Sequence, residues 1–195
     1  MAKIVKDDVD RFFDYDVSIS TRTIFMGSVD FDGENGVNER MVERVTKALH
    51  IMDQSEGNIT IFMNNPGGDY YSGFAIYDAI RERKNHVTIK VYGYAMSMGA
   101  LILQAADDRV LSPNSRVMIH YGYSNLNYDH AITNEKWADQ YKKDNVIMED
   151  ILLARIKEKH PRFTRKKVKE LLKFDTILSP REAIDLGLAD RIEGE

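Results

Sequence analysis

Apolar residues along this chain alternate between two spacings, and the alternation predicts the architecture. Residues 23–29 (TIFMGSV) are β-branched and apolar, the signature of a strand. After a loop rich in Asp, Gly and Asn, the apolar positions Met41, Val42, Val45, Ala48, Leu49 and Met52 recur at helical spacing, predicting a helix over 37–52. Residues 59–63 form a second strand, ended by the turn residues Asn64-Asn65-Pro66-Gly67-Gly68. A helix over 72–84, a strand over 87–92, a short and nearly all-apolar helix over 98–106, and strands at 109–111 and 116–120 follow. Strands alternating with helices imply parallel pairing and an α/β fold.

The ends of the chain depart from this alternation. The first twenty residues mix charges and aromatics without a period, so residues 1–22 are expected to be a mobile N-terminal arm ahead of a domain spanning 23–195. Residues 131–159 form a charged, amphipathic helix of about 43 Å at 1.5 Å per residue. It is too long to pack wholly on a domain of this size, which points to an oligomer. A helix over 164–172 comes next. Ser179-Pro180-Arg181-Glu182 then opens a final helix with Ser at N-cap, Pro at N1 and Glu at N3.

Composition narrows the functional classes. There are 27 Lys plus Arg against 31 Asp plus Glu, a formal net charge of −4, so no electrostatic case exists for nucleic acid or an anionic membrane. The absence of cysteine removes disulfides, thiolate metal sites and cysteine nucleophiles together. Acids stand at the N-terminus where a secretory signal needs an apolar core, and no apolar run approaches ~18 residues. A cytoplasmic protein without cofactor or metal is expected.

The segment Gly93-Tyr94-Ala95-Met96-Ser97-Met98-Gly99-Ala100 carries the most chemistry. A strand ends at a glycine, the chain turns, and Ser97 begins an apolar helix. A hydroxyl there faces unpaired N–H groups and the positive end of the helix dipole, as acyl transfer requires for its oxyanion. The alternative is that Ser97 is an ordinary N-cap. The segment is not the G-x-S-x-G elbow, because Ala95 stands two residues before the serine. At Gly67-Gly68 the backbone can approach a ligand closely and aim N–H groups at it, or simply turn. A phosphate loop does not fit, since no Gly-Lys-Ser/Thr follows and Asp69 would repel phosphate.

A nucleophilic serine needs a base. His50, His86, His130 and His160 lie on charged or polar stretches and are taken as solvated bystanders, whereas His120 ends the apolar run Val117-Met118-Ile119. Asp175, between Phe174 and Thr176-Ile177-Leu178, sits in a less polar setting than most acids of the chain and can hold the imidazole; a salt bridge or cap is the competing role.

These residues fall within blocks that resemble the ClpP (caseinolytic) serine peptidase family. The blocks are 64–68, then 72–78, Ala95-Met96-Ser97-Met98-Gly99-Ala100, Pro113-Asn114-Ser115-Arg116-Val117-Met118-Ile119-His120, and 175–183. They run in order, with near-family spacing, from about residue 24 to 192. The resemblance implies a crotonase-like core of parallel sheets flanked by helices, with a handle at about 121–160 whose long helix protrudes. It also implies stacked heptameric rings enclosing a chamber in which unfolded polypeptides, fed in by an ATP-driven AAA+ unfoldase, are hydrolysed. By motif, Ser97 is the nucleophile, His120 the general base and Asp175 its orienting acid, with the amides of Gly68 and Met98 as the oxyanion hole.

Departures from the family pattern mark a divergent member, for which phage origin is plausible. The family follows its histidine with Gln-Pro and a glycine-rich stretch; here Tyr121-Gly122-Tyr123-Ser124-Asn125-Leu126-Asn127 follows. The family's pore-building N-terminal segment is not recognisable in residues 1–21. The cleft that accepts the unfoldase's apolar loop retains Phe62 and Tyr92 but includes Thr60, Glu82 and Lys90. Unpaired charges there would disfavour an apolar anchor and an ordinary unfoldase. The readings held open are a catalytically silent or capsid-processing ring subunit and a crotonase-fold acyl-CoA enzyme.

Overall fold

Ile59, Ile61, Met63 and Asn65 are fully buried, and the residues between them are half-covered, so one face of this strand is packed into the core and the other is partly open. The computed structural model describes residues 6–27, 36–122 and 131–195. In chain order the elements are α1 (Lys6–Tyr15), β1 (Val17–Ser18), β2 (Thr23–Met26), α2 (Glu39–Met52), β3 (Ile59–Asn65), α3 (Tyr70–Arg81), β4 (Val87–Met96) and α4 (Met98–Leu103). They continue with β5 (Asp108–Leu111), β6 (Arg116–Ile119), α5 (Ala131–Lys159), α6 (Arg165–Leu172), β7 (Thr176–Leu178), α7 (Pro180–Leu186) and β8 (Arg191–Ile192).

The strands run β1-β2-β3-β4-β5-β8 across one sheet, and β6 branches from β4 to carry β7. All pairings are parallel except β1 with β2 and β6 with β7. The branch explains a difference from the sequence reading. Gly93 does not end a strand; β4 continues through it to Met96. Before Gly93 the strand pairs with β5 at 88–91, and after it with β6 at 94–96. The change of partner requires a bend. Gly93 supplies it at φ +78°, where an added Cβ would lie 2.5 Å from Asn64 Oδ1.

Residues 6–22, expected to lack order, form α1 and β1, and β1 joins the sheet edge through Val17↔Ile24 and Ser18↔Thr23. The boundary drawn after residue 22 therefore falls between two paired strands. The predicted helices at 37–52 and 164–172 are α2 and α6, each beginning one residue beyond its cap, Asn38 or Thr164. The last helix keeps its capping box, with Ser179 and Glu182 bonded reciprocally. Part of the first predicted strand (28–29), His130 and the segment 123–127 lie outside the described residues.

Helix α4 is buried at every position, and its carboxyl end is closed by α5: Arg155 donates to Gln104 O at 2.7 and 2.8 Å and to Ala106 O at 2.7 Å. Met148, Leu152 and Ile156, four residues apart, pack α5 onto the core. No residue of α5 before Asp144 is buried, and Ile132 is exposed, so the amino-terminal half of this 29-residue helix runs clear of the protomer's core. Among the described residues, no helix is long and apolar enough to cross a membrane.

Candidate active site

The parallel strands β3, β4 and β6 point their carboxyl ends to one side of the sheet, where α/β folds place their sites. Ser97 follows β4 directly, and its N–H donates to Met118 O (2.9 Å), extending the β4–β6 ladder by one bond. Its backbone is then forced to φ +51°, ψ −122°, a conformation a side chain rarely adopts. This sharp turn stands the hydroxyl above the amino terminus of α4. The Ser97 side chain makes no capping bond to that helix. The N-cap alternative therefore fails on geometry, and the hydroxyl has another partner.

That partner is His120, one residue past β6: its Nε2 lies 3.0 Å from Ser97 Oγ. Its Nδ1 lies 2.9 Å from Asp175 Oδ1. The carboxylate accepts only, so Nδ1 carries the proton and Nε2 presents a lone pair to the hydroxyl. The imidazole is well enclosed, its side chain 10% exposed, but the Asp175 side chain is 53% exposed. The less polar surroundings expected for Asp175 are not what the protomer provides. Phe174 and Ile177 beside it are exposed as well, and an open hollow bordered by His120, Tyr121, Lys173, Phe174 and Asp175 lies beside the base and its acid.

Backbone donors stand next to the hydroxyl. A Cβ on Gly67 would lie 2.6 Å from Ser97 Cβ and 2.9 Å from Met98 N, so the glycine loop touches the serine turn. Met98 is the first residue of α4, and its N–H has no acceptor within the helix. The bridge between Val37 and Gly68 uses Gly67 O and Asp69 N–H, leaving the Gly68 N–H outside it. The glycines hold φ of +97° and +150°. Asn65, in sequence only one of the turn residues, fixes this loop: buried, it accepts from Gly67 N–H (2.9 Å) and donates to Gly27 O (2.8 Å). An Asn two residues before a glycine is the available signal, since such side chains bond their own backbone two residues on.

The structure thus brings Ser97, His120 and Asp175 together, with Gly68 and Met98 beside them. The other described histidines lie elsewhere and are exposed; His160 Nε2 bonds Asp185 O, and His86 faces Asp107 at 3.9 Å. Among the described residues no three His, Asp or Glu side chains form a cluster able to hold a metal. Where the unfoldase cleft is expected, the rings of Phe62 on β3 and Tyr92 on β4 meet at 5.6 Å, tilted by 41°. Lys90, read as an unpaired charge there, donates to Glu193 at 2.9 Å, so its charge is already balanced. Glu82 is the exposed carboxyl-terminal cap residue of α3.

The model of the Clp protease family matches residues 12–195. An ATP-dependent Clp protease proteolytic subunit from Deinococcus radiodurans is 32% identical over 188 residues, covering 94% of this chain and 86% of the relative. Among solved structures, a point mutant of ClpP1 from Listeria monocytogenes superposes with a TM-score of 0.74 at 27% identity, covering 91% of this chain and 94% of its own. Sequence match and backbone agreement extend over nearly the whole chain, and the chain belongs to the Clp protease family, with the ClpP fold.

Proposed function

We propose that this chain is a serine endopeptidase in which Ser97 is the nucleophile, His120 the general acid–base and Asp175 the group that orients it. The observation carrying this reading is the unbroken hydrogen-bonded chain Ser97 Oγ–His120 Nε2 and His120 Nδ1–Asp175 Oδ1 at 3.0 and 2.9 Å. His120 Nε2 takes the hydroxyl proton as Oγ attacks the scissile carbonyl. The resulting oxyanion is met by the Gly68 and Met98 amides, donors each worth about 10²–10³ in rate in such sites. The protonated imidazole then gives its proton to the leaving amine, and the C–N bond breaks to leave an acyl-serine. Water, deprotonated by His120, attacks the ester, and the proton returns to Ser97 as the acid product leaves.

The substrate is an extended, unfolded polypeptide, and the working form is a homo-oligomeric chamber of stacked heptameric rings, a tetradecamer. The amino-terminal half of α5, which runs clear of its own core, supports an assembly role for that helix. The Deinococcus relative is named an ATP-dependent proteolytic subunit, and an AAA+ unfoldase partner is proposed here by that likeness. The Phe62–Tyr92 ring contact beside a balanced Lys90–Glu193 pair makes this face less hostile to an apolar loop than unpaired charges would, while Thr60 and Glu82 keep it atypical.

Wild type and Ser97→Ala, assayed on a small fluorogenic peptide and an unfolded protein, test the proposal. The expected result is cleavage of the peptide without ATP and a loss of ~10⁴-fold or more in the variant. Cleavage that survives Ser97→Ala assigns the wrong nucleophile. Failure of a fluorophosphonate to label wild-type Ser97 favours the silent ring subunit instead.

A further inference from the structure

The β6 ladder ends at Ile119, one residue before the base. What holds His120 on its other side is therefore set beyond the sheet. Tyr121 N–H donates to Leu172 O (2.8 Å), and the Tyr121 hydroxyl donates to Glu149 Oε1 at 2.6 Å. Glu149 lies on α5, is 3% exposed, and also accepts from Arg165 of α6 (3.2 Å), with Lys169 Nζ at 3.7 Å. Arg165 is in turn held by Asp150 on α5. The same helix end reaches the acid: Thr176 Oγ1, next to Asp175, donates to Leu171 O at 2.6 Å. The carboxyl end of α6 thus anchors the residue following the base and the residue following its orienting acid.

A carboxylate at the Glu149 position is an expensive way to fill space. An ion there must be matched by excellent partners, and an apolar replacement of similar volume is often neutral or stabilising. Its partners are well matched, so its value lies in direction: a short bond to a phenol, aimed by two cations, fixes one orientation, whereas a Phe–Leu contact would not. Burial, the bond to Glu149 and the Glu149 charge all hold the Tyr121 phenol protonated, so it remains a donor at any working pH.

From this geometry we propose that Tyr121 and Glu149 are positioning residues for the general base, pinning the main chain at His120 so that its imidazole spans Ser97 and Asp175. The proposal rests on the peptidase reading above, and neither side chain touches the reacting atoms. Loosening the anchor misplaces the imidazole by fractions of an ångström, which lowers the chemical step while leaving substrate binding alone.

The test measures kcat and KM on a fluorogenic peptide, the rate of fluorophosphonate labelling of Ser97, and thermal unfolding. The proteins are wild type, Tyr121→Phe, Glu149→Gln, Glu149→Leu and the double variant Tyr121→Phe/Glu149→Leu, which refills the space with an apolar pair. Tyr121→Phe is expected to lower kcat and the labelling rate about tenfold with KM within about twofold. Glu149→Leu is expected to lose at least as much, Glu149→Gln to recover part of it, and the double variant to be no slower than Glu149→Leu. Folded Tyr121→Phe and double variants that keep wild-type kcat and labelling, whatever their melting temperature, overturn the proposal and leave the peptidase reading intact. A wild type that neither cleaves nor labels removes both.

Discussion

His120 and Asp175 are a cross-strand pair standing one step beyond the last rung of their ladder. Strands β6 and β7 run antiparallel with Val117↔Leu178, Met118↔Ile177 and Ile119↔Thr176 in register, and the next positions outward are 120 and 175. The imidazole–carboxylate bond of 2.9 Å continues by side chain what the backbone ladder stops doing. The parallel pairing of β4 with β6, extended by Ser97 N–H to Met118 O, sets the serine from the other flank. Two strand registers set where the three groups leave the sheet.

Asp175→Asn keeps the shape of that pair while removing the acceptor-only carboxylate. The amide can then stabilise the wrong tautomer and no longer balances the imidazolium. A kcat loss on the order of 10³-fold is expected, somewhat under the ~10⁴ of an enclosed acid because solvent reaches this one. Steady-state kinetics check it: a loss of under tenfold would mean Asp175 does not orient the base.

Ser97→Gly should make the protein more stable while abolishing cleavage. The turn at φ +51°, ψ −122° costs a side-chain-bearing residue about 1–3 kcal/mol, and glycine adopts it with little strain. Some of that gain is offset by the greater freedom of glycine in the unfolded chain, leaving a net increase of about 1 kcal/mol. Urea unfolding of Ser97→Gly against Ser97→Ala measures it, since both lack the hydroxyl and only one relieves the backbone. Equal stabilities would mean the turn stores no strain.

Gly67→Ala targets the opposite wall of the site. The new methyl would sit 2.6 Å from Ser97 Cβ and 2.8 Å from Met96 O, at a φ of +97°. The loop must move away from the serine, taking the Gly68 amide with it. A drop in kcat of about 10²-fold or more is expected, larger than any change in fluorescence-detected folding. A near-normal kcat would place the oxyanion donors elsewhere.

Most of this architecture was legible because the packed faces leave a simple mark: the buried positions of β3 and β4 alternate along each strand, and α4 is apolar throughout. The misread boundaries have identifiable causes. Gly93 looks like a terminator in sequence, yet it bends a strand that changes neighbours, and only the sheet supplies the second neighbour. Helix α1 is hidden in sequence because its acids and aromatics show no clear period, and β1 because two residues carry none. Ser97 stood out as a polar residue opening an apolar helix, and His120 as one ending an apolar strand. Asp175 stood out by its apolar neighbours and then by its motif, and its exposure is a tertiary property that no local pattern encodes. Glu149 went unremarked for the same reason, since its partners Tyr121 and Arg165 are 16 or more residues away in the chain, whereas Asn65 reads in sequence only as a turn residue although its bond to Gly67 is local.

The pair Arg109–Asp190 gives the fold an acid-sensitive joint. Arg109, 4% exposed at β5, donates through its side chain to both oxygens of Asp190 (2.5 and 3.0 Å), to Gln104 Oε1 and to Gly187 O, tying the segment before β8 to the sheet. Burial pulls the Asp190 carboxyl upward, but the side-chain and backbone bonds from Arg109 and its charge outweigh it, and the carboxyl sits below its ordinary range. A carboxyl lowered in the folded state stabilises fully above its unfolded value of about 3.9, and that contribution fades as pH falls through the folded value. Asp190→Asn should therefore be less stable than wild type at pH 7 by on the order of 2 kcal/mol, less than for a fully enclosed pair because Asp190 is partly exposed. In urea titrations the gap should narrow progressively below pH ~4, as the wild-type carboxyl takes up its proton. A gap that stays constant to pH 2, or widens, would show that Arg109 is held by its two carbonyl partners and not by the charge of Asp190.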